Sequence, residues 1–307
     1  GDGGLVKNGA TVLTLNGANT FGGGLSLAGG GLLLGNSGAL GTGALNVAAN
    51  ASLDGIVALD LTNAVNLGAG SALTLIGSNA LTLGGVVSGT GGLVKNGAGT
   101  LTLGNANGFG GGLALNGGNL QLGNAGALGT GALNVGGNAT LDTAAAYTVG
   151  NAINLASGTT LALQGSNALT LGGVVAGNGA LVKNGAASLT LTNANTYVGG
   201  TTINAGTLAL GAGGSLALGG DVTLGGAGAG FDISAATGSQ TIGALNGVLD
   251  STVALGGNSL TFGTATNAVF GGVISGGGGL VKVGAGVQTL SGANTFGGGV
   301  SLNAGGL

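Results

Sequence analysis

The chain repeats itself. The stretch Gly3-Gly4-Leu5-Val6-Lys7-Asn8-Gly9 returns at 91–97, at 179–185 with Ala180, and at 278–284 with Val283. Leu5, Leu93, Leu181 and Leu280 mark steps of 88, 88 and 99 residues. Lys7, Lys95, Lys183 and Lys282, the only basic residues in the chain, fall one per copy. Phe21, Phe109, Tyr197 and Phe296 keep the same steps, and residues 35–47 return almost unchanged at 123–135. The third copy carries an 11-residue insertion after Gly199, and Leu307 is the equivalent of Leu32. The organisation expected is a single domain over 1–307, made of long repeats at about 1–88, 89–176 and 177–275 with a partial one at 276–307. One such unit cannot cover its own apolar face, so tandem copies gain stability by stacking on their neighbours.

A finer period runs inside each long repeat. Leu-x-Leu and its variants appear at Leu13-Leu15, Leu25-Leu27, Leu32-Leu34, Leu45-Val47, Leu59-Leu61, Val65-Leu67, Leu73-Leu75 and Leu81-Leu83. Alternation of this kind marks short strands with one buried face. Between them lie turn dipeptides such as Asn8-Gly9, Asn16-Gly17, Asn116-Gly117 and Asn184-Gly185, which supply left-handed backbone positions. A helix is excluded, because each interior Gly costs about 1 kcal/mol relative to Ala. Long-range repetition selects a solenoid over a sandwich or barrel, so an all-β parallel β-helix is expected. Taken as four coils per repeat, 88 residues give about 22 residues per coil. Coils then stack about 4.8 Å apart, Leu over Leu. Asn side chains can ladder from coil to coil at the corners. The absence of Pro fits, since Pro would remove a ladder donor.

Composition narrows the chemistry. Gly supplies 79 of 307 residues, and Pro, Cys, Met, Trp, His, Arg and Glu are all absent. Without His or Cys, zinc and haem ligation, thiol nucleophiles and Ser-His-Asp triads are unavailable. Four Lys against seven Asp give a net charge of -3, which builds no nucleic-acid footprint. Hydrophobic residues at 44% and charged residues at 4% argue for folding over disorder. The longest Gly-free stretch, 186–198, falls short of the roughly 20 apolar residues that a spanning helix needs. Starting at Gly1 with no signal segment, the chain reads as a fragment or processed product.

The segment Leu93-Val94-Lys95-Asn96-Gly97-Ala98-Gly99-Thr100-Leu101-Thr102-Leu103 resembles the autotransporter-associated β-strand repeat. So does Leu280-Val281-Lys282-Val283-Gly284, followed by Ser291-Gly292-Ala293-Asn294-Thr295-Phe296-Gly297-Gly298. The resemblance implies the passenger domain of a bacterial type V secreted protein, a right-handed parallel β-helix exported through a C-terminal β-barrel translocator. It implies a location on the cell surface or outside the cell, and a stalk that supports adhesion or display of a functional tip. Partners would be host or neighbouring-cell surface molecules, or further copies of the chain. No catalytic residue carries over, and no cofactor is implied.

The residues themselves offer few sites. The lysines read as solvated side chains that discourage edge pairing. With four coils between them they stand about 19 Å apart and cannot converge on one small ligand. Asp54 and Asp142 are repeat equivalents and read as solvated corner residues. Asp54 with Asp60 is the one pair that a carbohydrate-active alternative would use, though Thr148 replaces Asp60 in the next copy. The four aromatics read as corner caps in preference to sugar-stacking platforms. The pairs Thr100-Thr102 and Thr190-Thr192 recur too rarely for an ice-binding face. Leu101 is expected to point inward.

Overall fold

A computed structural model describes all residues 1–307. Every regular element is a short strand, and no helix is long and apolar enough to cross a membrane. Every strand pairing is parallel, and the chain folds as a β-solenoid with turns of about 20 residues. It divides into two compact units, Gly1–Ala145 and Ala146–Leu307.

In the first unit the chain visits three sheets in rotation from Leu45 to Leu103; the coils before have strands on the first two sheets alone, and those after on the second and third. One sheet holds Leu5–Lys7, Leu25–Leu27, Leu45–Val47, Val65–Leu67 and Val87–Gly89. The second includes Val12–Leu15, Gly31–Leu34, Ala51–Gly55, Ala72–Leu75, Gly92–Lys95 and Leu113–Leu115. The third includes Leu59–Leu61, Leu81–Leu83, Thr100–Leu103, Gly118–Leu122 and Ala139–Thr143. Alternation sends one side of each strand inward, where Leu25, Leu27, Leu45, Val47, Leu61 and Leu83 are buried. Leu101 is fully buried, as the alternation requires. Outward polar side chains ladder between coils: the Asn66 Nδ2 donates to Asn46 Oδ1 at 2.7 Å, and Ser88 Oγ donates to Asn66 Oδ1 at 2.9 Å. At the corners, Asn116 donates to Asn96 and Asn204 to Asn184, each at 2.8 Å.

The coil is shorter than the 22 residues that division of the repeat by four suggests. Leu5 pairs with Leu25, Leu25 with Leu45 and Leu45 with Val65, a step of 20 residues. The next step, Val65 to Val87, is 22. Four turns therefore end at Val87, and the six residues onward to Leu93 carry the chain around a corner to the second sheet. The 88-residue repeat thus spans about four turns and a third. Equivalent residues of successive copies lie on different sides of the coil: Lys7 on the first sheet, Lys95 on the second.

The second unit has the same three-sided plan. One sheet runs through Ala180–Lys183, Thr201–Ile203, Val222–Leu224, Leu245–Gly247, Ala268–Phe270 and Gln288–Leu290. Another contains Leu169–Leu171, Leu189–Leu191, Thr207–Leu210, Gly230–Asp232, Thr252–Ala254 and Val273–Ser275. On the third side Ile153–Leu155 pairs with Val175–Gly177, and the ladder resumes only at Gln240–Thr241, followed by Leu260–Phe262, Leu280–Lys282 and Val300–Leu302. Four turns from Leu181 reach Ala268, and Leu280 lies two strands further on. The 11-residue insertion accordingly adds about another third of a turn to the third repeat.

Candidate functional site

The lysines are the clearest polar feature of the fold, and their solvated reading is wrong. Lys7 is 8% exposed, Lys95 3%, Lys183 1% and Lys282 1%. Each follows an inward Leu by two positions on its strand (Leu93-Val94-Lys95, for example), so alternation turns it inward as well. No carboxylate is within ion-pair distance of any of them. Each ammonium instead donates to main-chain carbonyls at two successive corners. Lys95 Nζ bonds the Gly97 carbonyl and reaches Gly117 O at 3.5 Å. Lys183 Nζ bonds Gly185 O and, at 3.1 Å, Ala205 O. Lys7 Nζ bonds Gly9 O and, at 3.2 Å, Gly29 O. Lys282 Nζ meets Val283 O at 2.6 Å, Gly284 O at 2.9 Å and Ala304 O at 3.4 Å. Burial lowers the pKa of Lys95 and of Lys183 from the ordinary lysine value.

The second acceptor lies 22 residues after each lysine, one coil further on, so each ammonium pins two corners together. The glycine after that acceptor has left-handed backbone in every copy: Gly30 at φ 71°, Gly118 at 70°, Gly206 at 65° and Gly305 at 72°. That conformation needs Gly, and at Gly118 a Cβ would also lie 2.7 Å from Lys95 Nζ. The fixed offsets from Lys, two residues to one Gly and 23 to the next in all four copies, are visible in the sequence; what they are for is not.

The other expected positions settle as follows. Leu93, Leu181 and Leu280 are buried, and Leu5 in the first coil is half-buried. Phe109 and Tyr197 are interior side chains, so neither is a sugar platform, while Phe21 and Phe296 are half-buried. The Tyr197 hydroxyl shares a 2.7 Å hydrogen bond with Thr201 Oγ1. Burial pushes its pKa up to about 12, with the Thr201 bond opposing the shift.

The carboxylates mostly serve their own corners. Asp54 Oδ1 accepts the Gly55 N–H at 2.7 Å, Asp142 Oδ1 that of Thr143 at 2.9 Å, and Asp232 Oδ1 that of Ser234 at 2.8 Å. Asp54 and Asp60 stand on different sheets, on strands Ala51–Gly55 and Leu59–Leu61. The half-buried Asp54 is committed to its corner and Asp60 is exposed, and no group of three or more carboxylates forms that would hold a metal ion. As a chemical device the lysine corner is a clamp: it neutralises converging carbonyls without presenting a reactive group to solvent.

Sequence reasoning also missed Gln288. This residue is 1% exposed in the interior, and its Nε2 donates to Leu245 O at 2.9 Å, two coils away in sequence. Its Oε1 has no hydrogen-bond partner.

Against known proteins, the model of the passenger-associated-transport-repeat matches residues 5–34, 93–122, 181–210 and 280–307. Each match opens on the Leu-Val-Lys strand, and each contains the lysine and the corner glycines described above. No curated protein and no solved structure matches the chain. Repeat, fold and clamp coincide in all four copies: the chain is a β-solenoid that carries four matches to the passenger-associated-transport-repeat.

Proposed function

We propose that this chain is a structural stalk of a bacterial surface or secreted autotransporter, supporting adhesion or the display of a functional tip. The observation that carries the reading is the rotation of equivalent positions about the coil. Lys7 and Lys95 belong to different sheets, as do Asp54 and Asp142. No row of identical reactive side chains is built by repetition, while every copy adds buried Leu and one buried lysine clamp. Such a design accumulates length and stability and leaves the exterior chemically sparse. The reading places the chain outside the cell, delivered by a β-barrel translocator in the full-length protein, and treats residues 1–307 as one solenoid segment.

The test is deletion in the full-length protein. Removing residues 93–180, one complete period, should leave export intact and bring an antibody tag on the tip closer to the cell surface. Loss of export with a normally folded segment, or adhesion by the isolated chain equal to that of the full-length protein, would refute the stalk reading. Urea unfolding of 1–307 should show one transition; two well-separated transitions would contradict the single-segment organisation.

A further inference from the structure

The third side of the second unit loses its ladder where the sequence carries its insertion. After Val175–Gly177 no strand forms on this side for two coils: Thr196 N and Val198 N still donate to Val175 O and Gly177 O at 2.9 and 3.0 Å, the isolated Ala194–Ser215 bridge links the coil after that, and strand pairing returns at Gln240–Thr241. Two corner segments, 213–218 and 237–241, border an open groove of about 590 Å³. That lies within the roughly 300–1,000 Å³ typical of ligand sites.

Buried amides fix the shape of this groove. Asn195 is 3% exposed; its Nδ2 donates to Asn193 O at 2.7 Å and Ser215 O at 2.9 Å, and its Oδ1 accepts from Val175 N at 2.8 Å. Gln240 is 6% exposed and its Nε2 holds Gly238 O at 3.0 Å. Both corners are therefore set before any ligand arrives. Gln240–Thr241 is the edge strand of its sheet. The N–H groups of Gln240 and Ile242 are used on Ser259 and Thr261, each at 2.9 Å. Parallel pairing alternates sides along a strand, so the N–H and C=O of Thr241 face away from that neighbour, toward the groove.

The lining selects a ligand class. Hydroxyls come from Thr196, Ser215, Thr237, Ser239 and Thr241, and Leu218, 80% exposed, stands among the lining residues. No Lys and no Asp lines the groove. A phosphate, sulfate or carboxylate would find no counter-charge, and a metal ion would find no carboxylate ligand. Each hydroxyl both donates and accepts, which suits a molecule carrying many neutral hydroxyls. Leu218 offers an aliphatic surface for the C–H face of a ring.

We propose that this groove binds a short neutral oligosaccharide. The assignment is independent of the stalk reading: export and tip display need no ligand here, and a ligand here needs no tip.

The test uses the whole chain. Saturation-transfer NMR and calorimetry are run with maltotriose, cellotriose and triacetylchitotriose, with 3′-sialyllactose as the charged comparison. At least one neutral trisaccharide should bind, and 3′-sialyllactose should not. Leu218→Asp and Thr237→Val alter exposed side chains, so both should keep the wild-type unfolding midpoint while weakening binding about tenfold or more, a loss of about 1.4 kcal/mol or more. Failure of all three neutral trisaccharides to bind, equal binding of 3′-sialyllactose, or full binding by both variants would overturn the proposal.

Discussion

Replacing Lys183 by Met tests the clamp most directly. Methionine keeps a flexible apolar stem of similar reach and deletes only the ammonium, leaving Gly185 O and Ala205 O without their donor. Hydrogen bonds to a charged donor contribute about 1.5–3 kcal/mol each, and a buried carbonyl left unpaired costs about 1–3 kcal/mol. Against this, the variant no longer takes a charge out of water, a relief of several kcal/mol. The net expectation is a loss of about 2 kcal/mol. Lys183→Ala also removes three buried methylenes at about 0.8 kcal/mol each, which brings its loss to about 4–5 kcal/mol. Urea unfolding with unchanged m-values measures both.

The sign of the pH dependence follows from the lowered pKa. Folded Lys183 holds its proton less tightly than the unfolded chain does, because burial disfavours the charge. Between the lowered folded pKa and the ordinary 10.5 the unfolded state binds more protons. The stability of the wild type relative to Lys183→Met should therefore rise with pH across that window and stay flat below it. A Lys183→Met protein within about 0.5 kcal/mol of wild type would refute the clamp, since that is the scatter of ordinary surface substitutions.

Three further outcomes follow from the fold. Leu101→Asp puts a carboxylate at a fully buried position and should cost at least about 4 kcal/mol in thermal or urea unfolding; an unchanged midpoint would contradict the inward placement. Tyr197, raised to about 12, keeps its proton in the folded state after the unfolded chain has released it near 10, so stability present below pH 10 should fall by about 2 kcal/mol by pH 12; in Tyr197→Phe that loss, followed by circular dichroism, should disappear. Gly118→Ala forces a left-handed alanine against Gly97 O and the Lys95 ammonium and should cost about 2 kcal/mol or more in urea unfolding.

Much of this architecture was readable from residues alone. Leu-x-Leu spacing placed the strands, the Asn-Gly dipeptides placed several corners, and the motif repeated at Leu5, Leu93, Leu181 and Leu280 singled out a solenoid. The coil length was not readable, because a repeat period need not be a whole number of turns. Only the pairing of Val65 with Val87, six residues short of Leu93, reveals the extra third. Nor was the burial of the lysines, since Lys is almost never fully buried without a partner, and here the partners are backbone carbonyls that carry no residue-specific signal. The groove beside Leu218 escaped for a similar reason: the insertion was evident, but where a ladder breaks depends on pairing between distant residues.

The fractional advance from Leu5 to Leu93 has an evolutionary corollary. Copying this unit in tandem acts as a screw operation, translating the pattern along the axis while turning it to the neighbouring side. A surface substitution that spreads by duplication is thereby dealt around the circumference and cannot align into a seam. Growth by unit copying is thus decoupled from the creation of sticky lines, and any patch that does recognise something must arise where the period is violated.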